Sequence, residues 1–182
     1  MEAFSVHGLV GKIIDRVPQK QLSIHYGNTE VQPGMNLTPS MTKHQPHIKF
    51  EADANSYYTL IMNDADFPSH SDQKMSEFQH WLIVNIPGND LSRGDVLTEY
   101  VGPLPNKGTG HHRYVFMLFK QSKGKMEFRG ERRINNRTSD GRKVYNMMDF
   151  ARKHFLVEPV YGNFFQSEWD ESVPKIYEQM KM

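Results

Sequence analysis

Three short clusters of polar residues near the middle of the chain hold the side chains best suited to chemistry. The first spans residues 64–68 with the sequence Asp-Ala-Asp-Phe-Pro, the second contains His80, and the third contains His112 and Tyr114. Each cluster borders an apolar run that is typical of a buried strand. Two imidazoles and a phenol at one edge of a rigid sheet can surround an anion through charge-assisted hydrogen bonds, each worth about 1.5–3 kcal/mol. The spacing therefore predicts an anion-binding pocket at the rim of a sheet.

The two carboxylates of the first cluster have a second interpretation. Asp64 lies at a strand end and Asp66 in the following turn, where each could cap backbone N–H groups. Arg113 is close to an apolar run, however, and a buried arginine without a carboxylate costs about 3–5 kcal/mol. We expect one aspartate to pair with Arg113 and the other to face the pocket. The bond between Phe67 and Pro68 is a candidate cis peptide.

Strand periodicity predicts which rings share a face. His112 and Tyr114 are two residues apart, so both should project from the same side of their strand. Simple alternation places His80 on the face opposite Trp81. His111 points away from the pocket and is expected to be exposed.

Other kinds of site fit the sequence less well. Asp64, His80 and His112 resemble a two-histidine, one-carboxylate metal set, but no helix carries them at ligand spacing. The phosphate-loop and Gly-x-Ser-x-Gly motifs are both absent, and the chain contains no cysteine;. An enzyme that uses histidine as a base remains an alternative.

Length and charge restrict the class of protein. A chain of 182 residues fits one domain over residues 1–182, and its net charge of +1 argues against nucleic acid and allows at most peripheral membrane contact;. Six basic residues between 129 and 143 are interpreted as a solvated loop. The first 25 residues lack the apolar core of a signal peptide, which makes the cytoplasm the expected location;.

The elements that must position these residues are mostly strands. Alternating or continuous apolar runs predict strands over residues 21–26, 47–51, 57–62, 81–86, 97–101, 114–119 and 160–169;. Helical spacing appears over residues 146–155 and 172–180. A further short helix is predicted from the spacing of Leu9, Val10, Ile13 and Ile14. Because the connections are turn-like, antiparallel sheets with helices near the chain ends are favoured over a doubly wound fold.

Three motifs in order match a known family. Residues 64–69 read Asp-x-Asp-x-Pro-Ser, residues 77–90 read Glu-aromatic-x-His-aromatic-Leu-x-Val-Asn-x-Pro-Gly-Asn-Asp, and residues 107–115 end in His-Arg-Tyr-Val. They resemble the phosphatidylethanolamine-binding proteins, a family that includes the Raf kinase inhibitor protein. The resemblance continues through residues 166–170 and 173–179, and so spans nearly the whole chain.

The resemblance implies a mainly β fold, with two antiparallel sheets in a sandwich, peripheral helices and a C-terminal helix. It also implies a small pocket for phosphorylated head groups such as that of phosphatidylethanolamine. The pocket residues that it implies are Asp64, Pro68, His80, Gly102, His112, Tyr114 and Tyr177. Three further residues are implied to support the pocket: Asp66, Phe78 and Arg113.

The implied role is a binding protein without catalytic residues, metal or cofactor. Its implied protein partners are kinases of the Raf type, or alternatively serine proteases that it inhibits. Three positions depart from the family pattern: Ala65 replaces proline, Leu104 replaces glycine, and His111 replaces an apolar residue. Leu104 is the departure expected to alter ligand preference, because it stiffens the loop near the anion.

Overall fold

The long apolar runs form the centre of a six-stranded sheet in the computed structural model, which describes residues 1–182. In spatial order the strands are β1 (Lys20–Gln21), β9 (Pro159–Ser167), β8 (His112–Gln121), β5 (Tyr57–Asp64), β6 (Phe78–Pro87) and β7 (Asp95–Thr98). All neighbours are antiparallel except β1, which is parallel to β9. A second, antiparallel sheet has the order β3 (Thr29–Glu30), β2 (Ser23–Tyr26) and β4 (His47–Lys49). The predicted mainly β fold is confirmed.

The central strands are apolar along their whole length because both faces of the sheet are covered. Leu60 and Met62 belong to a core cluster that also contains Leu22 and Ile24 from the region of the small sheet. Ile61, between them on β5, belongs to a second cluster with N-terminal residues and the helix near residue 150. Alternation thus directs successive residues into two different cores. Strands β6 and β8 also begin earlier than predicted, so that His80 and His112 lie within strands.

The predicted helices have different outcomes. The structure contains α1 (Ala3–Val6), α2 (Met147–Lys153) and α3 (Val173–Met180), of which the last two were predicted. The predicted helix at Leu9–Ile14 is wrong, because this segment forms turns. Gly8 and Gly11 adopt left-handed φ angles of +68° and +83°, which interrupt a helix;. No helix is both long and apolar enough to span a bilayer.

Arg142 does not behave as the solvated residue that the sequence predicts. Its side chain is fully buried, and burial lowers the pKa of its guanidinium to about 10. The guanidinium donates only to backbone carbonyls, which belong to Gln79, His80, Glu99, Asn135 and Thr138. It therefore ties the segment that contains Asn135 and Thr138 to strand β6, next to His80.

We expect Arg142→Met to destabilise the protein by about 3–5 kcal/mol, because five carbonyls, of which those of Gln79 and His80 are buried, would lose a charged donor;. Urea denaturation measures this change. Arg129→Met is the matched control: Arg129 is exposed and pairs only with exposed Glu127, so its loss should cost about 1 kcal/mol or less;. Equal losses for the two variants would contradict the structural role of Arg142.

Candidate functional site

Strand register brings the predicted site residues together at one end of the main sheet. Asp64, the last residue of β5, lies directly opposite Phe78 on β6 and Tyr114 on β8. The ring centroids of His80 and Tyr114 are 5.3 Å apart. Those of His112 and Tyr114 are 6.4 Å apart, with nearly parallel planes. The two imidazoles and the phenol therefore form one cluster around Asp64, here called the ring cluster.

A β-bulge at His80 determines how β6 contributes to this cluster. Met62 of β5 pairs with Trp81 and Asn63 pairs with Gln79, so His80 has no partner across the strand pair. The alternation that predicts opposite faces for His80 and Trp81 is interrupted here. Trp81 packs in the same core cluster as Tyr114, whose ring His80 also contacts.

Asp64 and His112 form a buried pair with defined proton positions. His112 Nδ1 lies 2.8 Å from Asp64 Oδ2, and its Nε2 lies 2.8 Å from the Thr109 hydroxyl. That hydroxyl donates its proton to the Asn106 carbonyl, so His112 Nε2 must be the donor in the second bond;. Both ring nitrogens then carry protons. Burial opposes this charge, but the Asp64 carboxylate outweighs it and raises the pKa of His112.

His80 has the opposite character. Its Nδ1 lies 2.7 Å from the Val101 carbonyl, which can only accept, so Nδ1 carries the proton;. The other nitrogen, Nε2, is buried and has no hydrogen-bond partner. Burial lowers the pKa of His80 to about 4. His80 is therefore neutral near pH 7 and presents an unused acceptor.

The Tyr114 hydroxyl is the second unsatisfied polar atom of the ring cluster. It is fully buried and makes no hydrogen bond of acceptable geometry, although the Asp64 carboxylate is close enough to act on it. Burial, reinforced by the charge of Asp64, raises the pKa of Tyr114 well above its usual value. The Phe165 ring stacks on Tyr114 at 5.4 Å and fixes its position. A buried polar atom without a hydrogen-bond partner costs about 1–3 kcal/mol of stability. Two such atoms in contacting rings therefore distinguish the ring cluster from the rest of the core.

Asp66 and Arg113 form the expected ion pair behind the ring cluster. Arg113 donates through Nε and Nη2 to the two Asp66 oxygens at 2.8 and 2.7 Å, and its backbone N–H donates to Asp66 as well. Burial would raise the pKa of Asp66, but Arg113 outweighs it and holds that pKa well below its usual value. Lys12 and His70 also contact Asp66. The carboxylate is thus fully occupied and structural.

The ring cluster is covered in this structure. Asp64, His80 and Tyr114 have no exposed surface, and His112 is 1% exposed. The Tyr177 hydroxyl donates to the Leu104 carbonyl at 2.9 Å. Leu104 packs in an apolar cluster that we call the cover; the cover consists of Phe67, Phe78, Val101, Leu104, Val173, Ile176 and Met180, with Tyr177 packed against it.

Two other residues implied for the pocket have different surroundings. Pro68 is half-buried and follows a cis bond to Phe67, whose ring contacts Phe78 at 4.7 Å. Gly102 packs beneath the 42–43 segment, where a Cβ atom would lie 2.8 Å from the Thr42 carbonyl oxygen. Its position requires glycine for packing.

Sequence reasoning missed several residues of the site. Thr109 fixes the protonation of His112, Arg142 binds the carbonyl of His80, and Phe165 stacks on Tyr114. Thr109 lies in the glycine-rich loop already singled out and could have been suspected. Nothing in the sequence distinguishes Arg142 from its five basic neighbours.

The pKa values of the two histidines should be displaced in opposite directions from that of an ordinary imidazole. Proton-detected ¹⁵N spectra of the ring nitrogens should show His80 neutral, with its proton on Nδ1, down to pH about 4;. His112 should still carry two protons at a pH where a free histidine is half neutral, about 6.5;. The Asp64–His112 pair should contribute fully to the free energy of unfolding below pH ~6.5, and this contribution should be lost as the pH rises through the folded-state pKa of His112;. The urea-unfolded chain is the control, and His80 titrating like the unfolded control would contradict the assignment.

Comparison with known proteins gives a consistent result. A sequence model of the phosphatidylethanolamine-binding protein family matches residues 18–165. Putative odorant-binding protein A5 of Drosophila melanogaster is 37% identical over 169 residues, which cover 92% of this chain and 80% of that protein. The solution structure of CG7054 is 38% identical with a TM-score of 0.76, and the match covers 94% of this chain and 97% of that one.

A carboxypeptidase Y inhibitor, solved in complex with its cognate proteinase, is also similar. It is 26% identical, covers 93% of this chain and 94% of its own, and has a TM-score of 0.77. The family match extends over most of the residues that build both sheets and the ring cluster. The chain belongs to the phosphatidylethanolamine-binding protein family.

Proposed function

We propose that this protein binds a phosphorylated head group at the ring cluster and acts as a non-catalytic regulator of a protein partner. The observation that carries the proposal is the pair of buried, unpartnered polar atoms, His80 Nε2 and Tyr114 Oη, in contacting rings. A natural fold retains such atoms where a ligand or water completes their hydrogen bonds.

The hydrogen-bonding capacity of the cluster suits a phosphate that brings or gains one proton. The Tyr114 hydroxyl can donate to a phosphate oxygen. Neutral His80 offers only an acceptor at Nε2, so it bonds either a protonated phosphate oxygen or, after taking up a proton itself, an anionic one;. Binding of a phosphodiester, which carries no proton near neutral pH, is therefore coupled to protonation of His80.

The charge of Asp64 does not repel the ligand as strongly as an isolated carboxylate would. Protonated His112 already balances it at 2.8 Å. An ethanolamine ammonium is therefore not required for charge balance, and phosphate is the part of the head group that we propose to be recognised. Because a few hydrogen bonds must offset the entropy of association, we expect affinities between millimolar and high micromolar.

Regulation, rather than lipid transport or catalysis, agrees best with the surroundings of the cluster. The cover is small and apolar, and its Phe78 ring lies 5.0 Å from the His80 ring. Because the rings of the cluster are buried, side chains around them must move to admit a ligand. A head group that displaces them changes the surface around α3, which a partner such as a Raf-type kinase could detect. Loss of kinase binding on addition of glycerophosphoethanolamine, in a pull-down with the purified kinase, would support this role.

Inhibition of a serine protease is the second candidate function. It is favoured by the similarity to an inhibitor solved with carboxypeptidase Y, at 26% identity over 93% of this chain. Titration of this protein into a carboxypeptidase Y assay tests it directly. Stoichiometric loss of activity would support inhibition, and unchanged activity at large excess would exclude that protease.

Tyr114→Phe should weaken head-group binding without harming the fold. The variant removes one hydroxyl that has no partner in the protein, so urea denaturation should show equal or slightly higher stability;. An NMR titration with glycerophosphoethanolamine should show roughly tenfold weaker binding, as expected for the loss of one hydrogen bond to a charged group.

The wild type should bind glycerophosphoethanolamine more tightly at pH ~5.5 than at pH ~7.5, since His80 gains a proton on binding.

The control for this titration is His111→Ala. His111 neighbours His112 in sequence, but its side chain is 42% exposed and points toward Glu168. Its loss should leave the affinity unchanged. Unaltered binding by Tyr114→Phe, or binding that does not depend on pH, would refute the assigned site.

Leu104→Gly should increase the affinity for glycerophosphoethanolamine several-fold. The substitution removes an apolar side chain from the cover and restores the residue usual in the family, so less packing has to be broken when the ligand enters. It should also cost about 2–5 kcal/mol of stability, because a buried leucine is lost. Leu156→Ala is the control. Leu156 is a buried leucine in the second core cluster, the one that contains Ile61, so its loss should lower stability without increasing affinity. Equal or weaker binding by Leu104→Gly would show that Leu104 does not limit entry.

A further inference from the structure

The small sheet carries a pair of histidines that takes no part in the ring cluster. His25 on β2 lies directly opposite His47 on β4, and Glu30 on β3 lies directly opposite His25 on its other side. Residues directly opposite in an antiparallel pair project from the same face, with Cβ atoms about 4.5–5.5 Å apart. One row across three strands therefore holds two imidazoles and a carboxylate. We call Glu30, His25 and His47 the histidine row.

The histidine row faces solvent, whereas the other face of the small sheet is packed. His47 and Glu30 are exposed, and His25 is half-buried. The residues that alternate with them belong to the first core cluster: Ile24, Tyr26 and Ile48. A shift of one residue would expose these apolar side chains, so burial fixes the register of β2 on β4. The backbone that carries the two imidazoles is therefore held in place before any ligand arrives.

The ring nitrogens of the row are available to a ligand. The side chain of His25 makes one hydrogen bond, from Nδ1 to the Ser23 hydroxyl at 3.5 Å, which leaves Nε2 free. Neither His47 nor Glu30 forms an ion pair. Neutral imidazole is the commonest metal ligand in proteins. Two imidazoles whose Cβ atoms are about 5 Å apart can both reach one ion, because Zn–N bonds are about 2.0–2.1 Å long.

The type of donor atom, rather than net charge, indicates what binds here. Lys49 lies two residues from His47 on the same face of β4, and Glu30 carries the opposite charge. Imidazole nitrogen suits late first-row metal ions such as Zn²⁺, Ni²⁺ and Cu²⁺, whereas Mg²⁺ and Ca²⁺ prefer oxygen. A neutral imidazole offers its lone pair to a metal ion, whereas an anion would need protonated rings.

We propose that His25 and His47 together bind one late first-row divalent metal ion, such as Zn²⁺, which links β2 to β4. No group of three or more potential metal-binding side chains is assembled in this structure. The proposed site therefore has two protein ligands, and water completes the coordination. Glu30 can accept the N–H of the His25 nitrogen that does not bind the metal, which orients that ring. The proposal does not depend on head-group binding at the ring cluster.

Loss of the His47 imidazole tests the proposal. ZnCl₂ is titrated into the protein, and binding is followed by calorimetry and by the imidazole NMR resonances of His25 and His47. The wild type should bind Zn²⁺ and unfold at a higher temperature with it, because a ligand of the native state stabilises that state. His47→Gln should weaken binding by roughly tenfold or more. Because His47 is exposed, thermal unfolding without metal should show an unchanged fold;.

The matched control is His111→Gln. His111 is also an exposed histidine, and the Glu168 carboxylate lies 3.7 Å away, but His111 lies outside the paired strands. The control should bind Zn²⁺ as tightly as the wild type, and MgCl₂ should not shift the resonances of His25 or His47. Equal weakening by the two variants, no Zn²⁺ binding by the wild type, a response of only one of the two imidazoles, or an equal response to MgCl₂ would each overturn the proposal.

Discussion

The site depends on the pairing of two buried carboxylates with two consecutive residues of the neighbouring strand. Asp64 ends β5 and Asp66 lies in the turn that follows, and His112 and Arg113 open β8 beside them. Neither carboxylate has any exposed surface, so each needs a cation and hydrogen bonds to stay ionised;. Loss of either cation would leave a buried charge at the point where the central strands meet. The register of β5 on β8 is therefore linked to the charge balance of the site.

The two pairs have different consequences for chemistry. Asp66 is saturated by Arg113 and its neighbours, and serves the fold. Asp64 is balanced by His112 and leaves the adjacent rings of His80 and Tyr114 with free polar atoms. Burial keeps His80 neutral, and the Asp64 carboxylate keeps His112 charged. One small volume therefore holds both a hydrogen-bond acceptor and a cation. Arg142 also contributes, because its guanidinium donates to the His80 carbonyl. This bond stabilises the bulge that brings His80 toward Tyr114.

The sequence by itself determined the features that depend on local periodicity and local chemistry. Alternating apolar residues located the strands, a two-residue spacing placed His112 and Tyr114 on one face, and the need of a buried arginine for a carboxylate indicated its pairing with an aspartate. Tertiary structure decided what depends on distant contacts: the bulge at His80, the burial of Arg142 among carbonyls, and the complete burial of the His80 and Tyr114 rings. The N-terminal turns belong to this second group, because backbone angles at two glycines overrode a helical pattern of apolar residues. Periodicity fixes which face a side chain takes, whereas burial, protonation and access depend on segments that are far apart in the chain.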